Sequence, residues 1–113
     1  MRTQPISQVD VEKEMMRLVE TLEARTENFE QLAVDAAEKE ADFKKVWAGV
    51  YLETSGTIRD REANADVMCT DAFREHKIAE ALVKSARESL LFLRTSIDAL
   101  RSLNANVRYQ TND

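Results

Sequence analysis

The stretch TSGT, residues 54–57, is the clearest break in this sequence and divides it into two long segments. Gly56 suits the left-handed end of a helix, and Thr57 offers a hydroxyl that can cap the helix that follows. No glycine or proline occurs after Gly56. The break therefore predicts that the chain reverses here, between arm one (about residues 8–54) and arm two (about residues 58–109).

Apolar side chains recur at seven-residue intervals along arm one. One series comprises Met15, Leu22, Phe29, Ala36, Phe43 and Val50. Leu18, Leu32 and Val46 each follow a member of that series by three residues. This alternation of three and four residues predicts a helix that buries one narrow stripe against a second helix.

Arm two carries the same spacing in two interleaved series. The first comprises Ile58, Ala65, Ala72, Ala79, Ala86, Leu93, Leu100 and Val107. The second comprises Cys69, His76, Val83, Leu90, Ile97 and Asn104. Large residues pack opposite small ones, so in an antiparallel hairpin the alanines face Phe43 and Ala36. The bulky half then faces Leu22 and Met15. Residues 69–71 are the weakest helical stretch, so arm two either continues through them or breaks there, in which case Thr70 or Asp71 caps a new helix.

Composition points to the same fold class, a single all-α domain over residues 1–113. Two glycines and one proline are too few for the many turns of an all-β fold. One cysteine excludes an internal disulfide framework. The longest run of large apolar residues is LLFL at residues 90–93, far short of the roughly 20 that span a bilayer.

Several large apolar residues lie off these stripes and are candidates for an interface. They are Leu82, Leu91, Phe92 and Leu103 on arm two, with Val19 and Trp47 on arm one. A two-helix hairpin cannot bury such residues alone, which favours self-association, most simply as a dimer that forms a four-helix bundle. The alternative is a third packing surface within a bent monomer.

The sequence offers few groups for catalysis. His76, the only histidine, lies seven residues after Cys69, and two ligands do not complete a zinc site. No glycine-rich phosphate loop or nucleophile elbow occurs. We therefore predict a non-enzymatic protein with no catalytic, cofactor-binding or metal site.

The most regular polar feature is a basic row at seven-residue spacing. It comprises Arg87, Arg94, Arg101 and Arg108. Such a row can follow phosphates or form the charged border of a helix pair, facing the acidic residues 12–30 of arm one. We favour the border, because the net charge is −5 and arm one has acidic residues in the half that faces the row. Binding to nucleic acid is the less favoured alternative.

Two stretches of arm two resemble a group of known proteins. They are GTIRDREA at residues 56–63 and LRSLNANVR at residues 100–108. They are similar to small helical proteins encoded by bacteriophages, including phages of actinobacteria, and the likeness covers about residues 44–108. Arg61, Glu62, Arg101 and Ser102 match the pattern, but the resemblance assigns them no role.

This resemblance implies an accessory protein that acts through protein–protein contacts in DNA recombination or replication. Two alternatives stay open: a small inhibitory protein that binds a host protein, and a purely structural assembly module. The start MRTQPISQVDVEKE has no apolar core, so it is no signal peptide. With no membrane partner indicated, we predict a cytoplasmic location, in the bacterial host if a phage encodes the chain.

Overall fold

The computed structural model describes residues 7–111, which form three α-helices and no strand. Helix α1 spans Gln8–Glu53, α2 spans Ile58–Met68 and α3 spans Thr70–Thr111. The predicted all-α helical hairpin is confirmed, with arm one as α1 and arm two as α2 and α3. Residues 1–6 and 112–113 of the predicted domain lie outside the described part of the chain.

The chain divides into two compact units, and α1 and α3 each run through both. Of the described residues, we call 7–28 with 86–111 the terminal unit, and 29–85 the central unit.

In the terminal unit α1 and α3 pack antiparallel. Arg108 Nη2 lies 3.5 Å from Glu12 Oε1, and Arg25 Nη1 donates to Ser89 Oγ at 2.8 Å. Positions later on α1 thus meet positions earlier on α3. Leu18, Leu93 and Ile97 form the core cluster of this unit, with Leu22 and Leu100 packed against them, and Val11, Leu90 and Val107 are also buried. The bulky half of arm two therefore faces the start of arm one, as the alternation predicts.

In the central unit small side chains occupy the buried positions. Ala65, Cys69 and Ala79 are all buried. The His76 ring stacks on Phe43, with ring centroids 5.9 Å apart and planes 12° from parallel. Phe43 of α1 also meets Phe73 edge to face, with ring centroids 5.4 Å apart, so this part of the unit combines buried small residues with a contact between aromatic rings.

The reversal at residues 54–57 is fixed by hydrogen bonds from both sides. Thr57 caps α2 through a capping box: its Oγ1 accepts from the Asp60 backbone N–H at 3.2 Å, and its own N–H donates to Asp60 Oδ2 at 3.4 Å. Gly56 has a φ of +119°, which residues with a Cβ rarely adopt. Asn64 Nδ2 donates to Thr54 Oγ1 at 2.8 Å and ties α2 to the end of α1.

Replacing Gly56 with alanine is expected to lower the free energy of unfolding by about 1–2 kcal/mol. The new Cβ would take an unfavourable φ and lie 3.1 Å from Asp60 Oδ2. Urea unfolding followed by circular dichroism measures the loss. Gly49→Ala is the control: this helical position has open space around it, and alanine there should stabilise by about 0.5–1 kcal/mol. Equal effects at the two glycines would contradict the prediction.

Arm two breaks, and the break lies at a single residue, Cys69. It separates α2 from α3 with φ −104° and ψ 18°. The helical bonds continue across it, because Cys69 N donates to the carbonyl of Ala65 at 3.0 Å and Phe73 N donates to that of Cys69 at 2.9 Å. Thr70 does not cap α3 as predicted for residues 70–71. Its hydroxyl donates instead to the carbonyls of Asp66 and Val67 at the end of α2.

The buried stripe of α1 moves by one position along the helix. Leu18 is buried as the seven-residue repeat predicts, but Val46 is 47% exposed and its neighbour Trp47 is half-buried instead. An α-helix has 3.6 residues per turn, so a straight helix drifts away from a seven-residue repeat. The predicted burial of Val46 is therefore wrong. Ile58 is also exposed, because it is the first residue of α2, directly after the reversal.

Candidate functional site

An open, mostly apolar groove of about 500 Å³ lies on one side of the terminal unit. Helix α1 contributes Glu12, Met15, Met16, Val19 and Glu20. Helix α3 contributes Asn104 and Arg108. We call this surface the methionine groove.

Helical spacing explains why these α1 residues share one surface. Met15 belongs to the stripe that packs on α3, and Val19 lies one turn further along the same side. Met16 sits three residues before Val19 and is 65% exposed, while Val19 is 38% exposed. The groove is thus a second apolar strip beside the buried one, left uncovered because, among residues 7–111, α3 is the one helix that packs on α1 in this unit.

Asn104 interrupts the apolar stripe of α3 at the wall of the groove. Its Oδ1 is buried and accepts no hydrogen bond within the described residues. A buried acceptor without a donor costs about 1–3 kcal/mol relative to one that is satisfied. In helix pairs a single polar residue at such a position lowers stability but fixes register and oligomeric state.

The basic row of arm two lies in the terminal unit, and Arg108 forms one end of the groove. Arg108 Nη2 reaches Glu12 Oε1 across the helix pair at 3.5 Å, which is the predicted border contact. Arg101 instead pairs with Asp98 on its own helix at 3.4 Å. Arg87 and Arg94 are exposed on the same side of α3.

The predicted interface residues fall in different units. In the terminal unit Leu91 and Phe92 are 54% and 70% exposed, and Leu103 is half-buried. In the central unit Leu82 is exposed. Trp47, also in the central unit, is half-buried, and its Nε1 donates to Asp66 Oδ1 at 2.9 Å. Leu91 and Phe92 are therefore both available at the surface, whereas Trp47 is held by a contact within its own unit.

His76 and Cys69 lie in the core of the central unit. The His76 Nε2 atom is 3.7 Å from Glu80 Oε2, and its Nδ1 is buried with no partner within the described residues. Cys69 is buried. Among residues 7–111 no three side chains of His, Cys, Asp or Glu converge as a metal site would require.

Glu14 and Glu40, the carboxylates whose pKa is lowered, are not among the residues that line the groove. A hydrogen bond from Arg17 lowers the pKa of Glu14, and one from Lys44 lowers the pKa of Glu40. Each pair joins residues three or four apart on α1 and faces solvent. Such shifts reflect local surface pairing, which does not by itself indicate an active site.

Comparison with known proteins adds no relative: no family model, curated protein or solved structure matches this chain. Within residues 7–111, no helix is both long enough and apolar enough to cross a membrane. The candidate site therefore rests on the geometry of the groove alone.

Sequence reasoning identified Val19 as lying off the main stripe but did not predict the groove. Two signals point to it. One is the adjacent pair Met15 and Met16, which places an apolar residue on the stripe and another beside it. The other is Asn104, a polar residue at a position where the stripe calls for an apolar one.

Proposed function

We propose that this protein is a non-enzymatic helical module that acts by binding another protein in its methionine groove. The observation that carries this proposal is the exposure of Met16 and Val19 in an open groove. Exposed apolar surface of this kind is typical of protein-binding sites. Methionine side chains are flexible and polarisable, so they adapt to the shape of a partner helix.

Charge favours a protein partner over nucleic acid. Arg101 and Arg108 each lie within 3.5 Å of a carboxylate, which reduces the positive charge they present. The whole chain carries a net charge of −5. Nonspecific binding to DNA depends on cations that neutralise phosphates and release counterions, and these arginines already face carboxylates.

The similarity to phage-encoded proteins stays a prediction. Under it, the partner would belong to DNA recombination or replication. A host protein as partner would make the chain an inhibitor, and a copy of itself would make it an assembly module. All three share the feature proposed here, a helical protein surface that occupies the groove.

Site-directed photo-cross-linking tests the proposal. A photoreactive amino acid replaces Met16 in the full chain, and a control variant carries it at Val67, which is 72% exposed on α2. In bacterial lysate we expect the Met16 variant to give discrete protein adducts that survive nuclease treatment, while the Val67 variant gives few. Adducts that disappear with nuclease, or equal labelling from both positions, would overturn the proposal.

The double variant Arg94→Gln, Arg101→Gln is expected to lose about 1 kcal/mol or less of unfolding free energy, because exposed ion pairs contribute about 0–1 kcal/mol each. Urea unfolding measures this loss, and a gel shift with duplex DNA at low salt accompanies it. We expect only weak DNA binding by the parent chain. Tight binding that the double variant loses, with unfolding unchanged, would show that the row binds DNA.

A further inference from the structure

We propose that the occupant of the methionine groove is a second copy of this chain, placed so that α1 of each copy lies against α3 of the other. The inference rests on the proposed function, since it names the partner that the groove binds. It follows from the charges on the two edges of the groove, from Asn104 in its wall and from the limited core of the terminal unit.

The two edges of the groove carry opposite charges. The α1 edge presents Glu12 and Glu20, and the α3 edge presents Arg108, with Arg94 about four turns earlier on the same side of α3. An acidic partner would meet the glutamates, and a basic partner would meet the arginines. A second copy of this chain presents glutamates on one edge and arginines on the other, so it can complement both edges of the groove.

This charge order also selects one arrangement of the two copies. Homodimers are commonly related by a two-fold axis, so each residue contact occurs twice. If α1 faced α1 of the other copy, Glu20 would approach its own equivalent. If α1 faces α3 of the other copy, Glu20 approaches Arg94, because the contacts Glu12–Arg108 and Arg25–Ser89 set the heights of the two helices and the axis keeps those heights. The second arrangement places the two-fold axis along the helices.

Asn104 fits the same arrangement. With the axis along the helices, the two Asn104 side chains lie at the same level on either side of it. An amide has both N–H donors and a carbonyl acceptor, so two amides can pair reciprocally. Docking thus supplies a donor for the Oδ1 atom that has none within the described residues of one chain.

The terminal unit also needs further packing. Its two helices bury one narrow stripe each: Leu18, Leu93 and Ile97 form the core cluster, and Val11, Leu90 and Val107 are also buried. Docking two such pairs creates a four-helix arrangement with a second buried layer made of Met16 and Val19. Small helical units gain stability in this way when one core is thin.

Sedimentation equilibrium of the purified full chain tests the dimer. We expect a mass of twice 12.9 kDa at micromolar concentration. The double variant Met16→Lys, Val19→Lys is expected to weaken dimerisation by about tenfold or more, because it places charges in the apolar layer. The control variant is Leu91→Ser, Phe92→Ser, which changes two exposed apolar residues outside the groove. Its dimer dissociation constant should stay within about twofold of the parent value.

A charge-swap experiment tests the arrangement. Glu20→Arg alone and Arg94→Glu alone should each weaken the homodimer, because each brings like charges together. Mixed in equal amounts, the two variants should form a heterodimer of parental strength, since both contacts then join opposite charges. Single variants that dimerise like the parent would overturn the arrangement.

The outcomes separate this inference from the proposed function. The dimer proposal fails if the parent chain is monomeric at high micromolar concentration. It also fails if Leu91→Ser, Phe92→Ser dissociates the dimer while Met16→Lys, Val19→Lys does not. If Met16 nevertheless cross-links a different protein in lysate, the groove still binds protein. If the Met16 position labels no protein, including a second copy, both proposals fail.

Discussion

Replacing Leu93 with alanine is expected to lower the free energy of unfolding by about 2–5 kcal/mol. Leu93 is 4% exposed and packs with Leu18 and Ile97 in the core of the terminal unit. In the described part of the chain only α1 and α3 surround this core, so few neighbouring side chains can move in to fill the cavity. A loss of this size is a large part of the roughly 5–15 kcal/mol that stabilises a typical domain.

Urea unfolding followed by circular dichroism at 222 nm measures the effect of Leu93→Ala. The matched control is Leu91→Ala, which removes the same atoms two residues away at a position that is 54% exposed. That control should change the free energy of unfolding by about 0.5 kcal/mol or less. Similar losses at the two leucines would contradict the packing described for the terminal unit.

The second large effect is expected from enlarging Ala65. This residue of α2 is fully buried, with 0% of its surface exposed. Ala65→Leu adds three carbon atoms where the helices already pack closely, and overpacking of this kind costs about 1–3 kcal/mol. A fall in the melting temperature of several degrees should accompany it.

Differential scanning calorimetry is the appropriate measurement for Ala65→Leu. The control is Ala63→Leu on the exposed side of the same helix, which should leave the melting temperature nearly unchanged. If Ala65→Leu melts at the parental temperature, the central unit has room at this position and the predicted role of small residues is wrong.

Much of the fold could be predicted because its signals are local and periodic. Gly56 and Thr57 carry the turn and the cap in their own chemistry, and the repeat that contains Leu93 indicates which face of α3 is buried. The break at Cys69 falls within residues 69–71, where the sequence leaves a break open. Its hydrogen bonds could not be predicted, because Thr70 can either cap a new helix or donate back to the preceding turn, and only the backbone path decides between these.

The errors have a common physical cause. A seven-residue repeat fixes a buried face over a few turns, but the difference between 3.5 and 3.6 residues per turn accumulates along 46 residues of α1. At Val46 one edge of the predicted face has turned outward and Trp47 is half-buried instead, while Phe43 and Val50 of the same face stay half-buried.

The groove is harder to predict for a related reason. Met16 and Phe92 are both exposed apolar residues beside a buried stripe, and no sequence pattern distinguishes them. The difference is tertiary: Met16 lies next to Asn104 and Arg108 of the facing helix. An exposed apolar residue beside the stripe borders a concave surface only if the facing helix places suitable neighbours next to it. This arrangement is known only from the packed helix pair.

The position of Trp47 has a practical consequence for studies of folding. It is the only tryptophan in the chain, it belongs to the central unit, and it stacks on Tyr51 with ring centroids 5.4 Å apart. Its fluorescence therefore monitors the central unit selectively, whereas circular dichroism averages over every helix. Recording both signals in one denaturant titration shows whether the two units unfold together or in two stages. If the terminal unit, whose core holds no tryptophan, unfolds separately, the circular dichroism curve will show a transition that the fluorescence curve lacks.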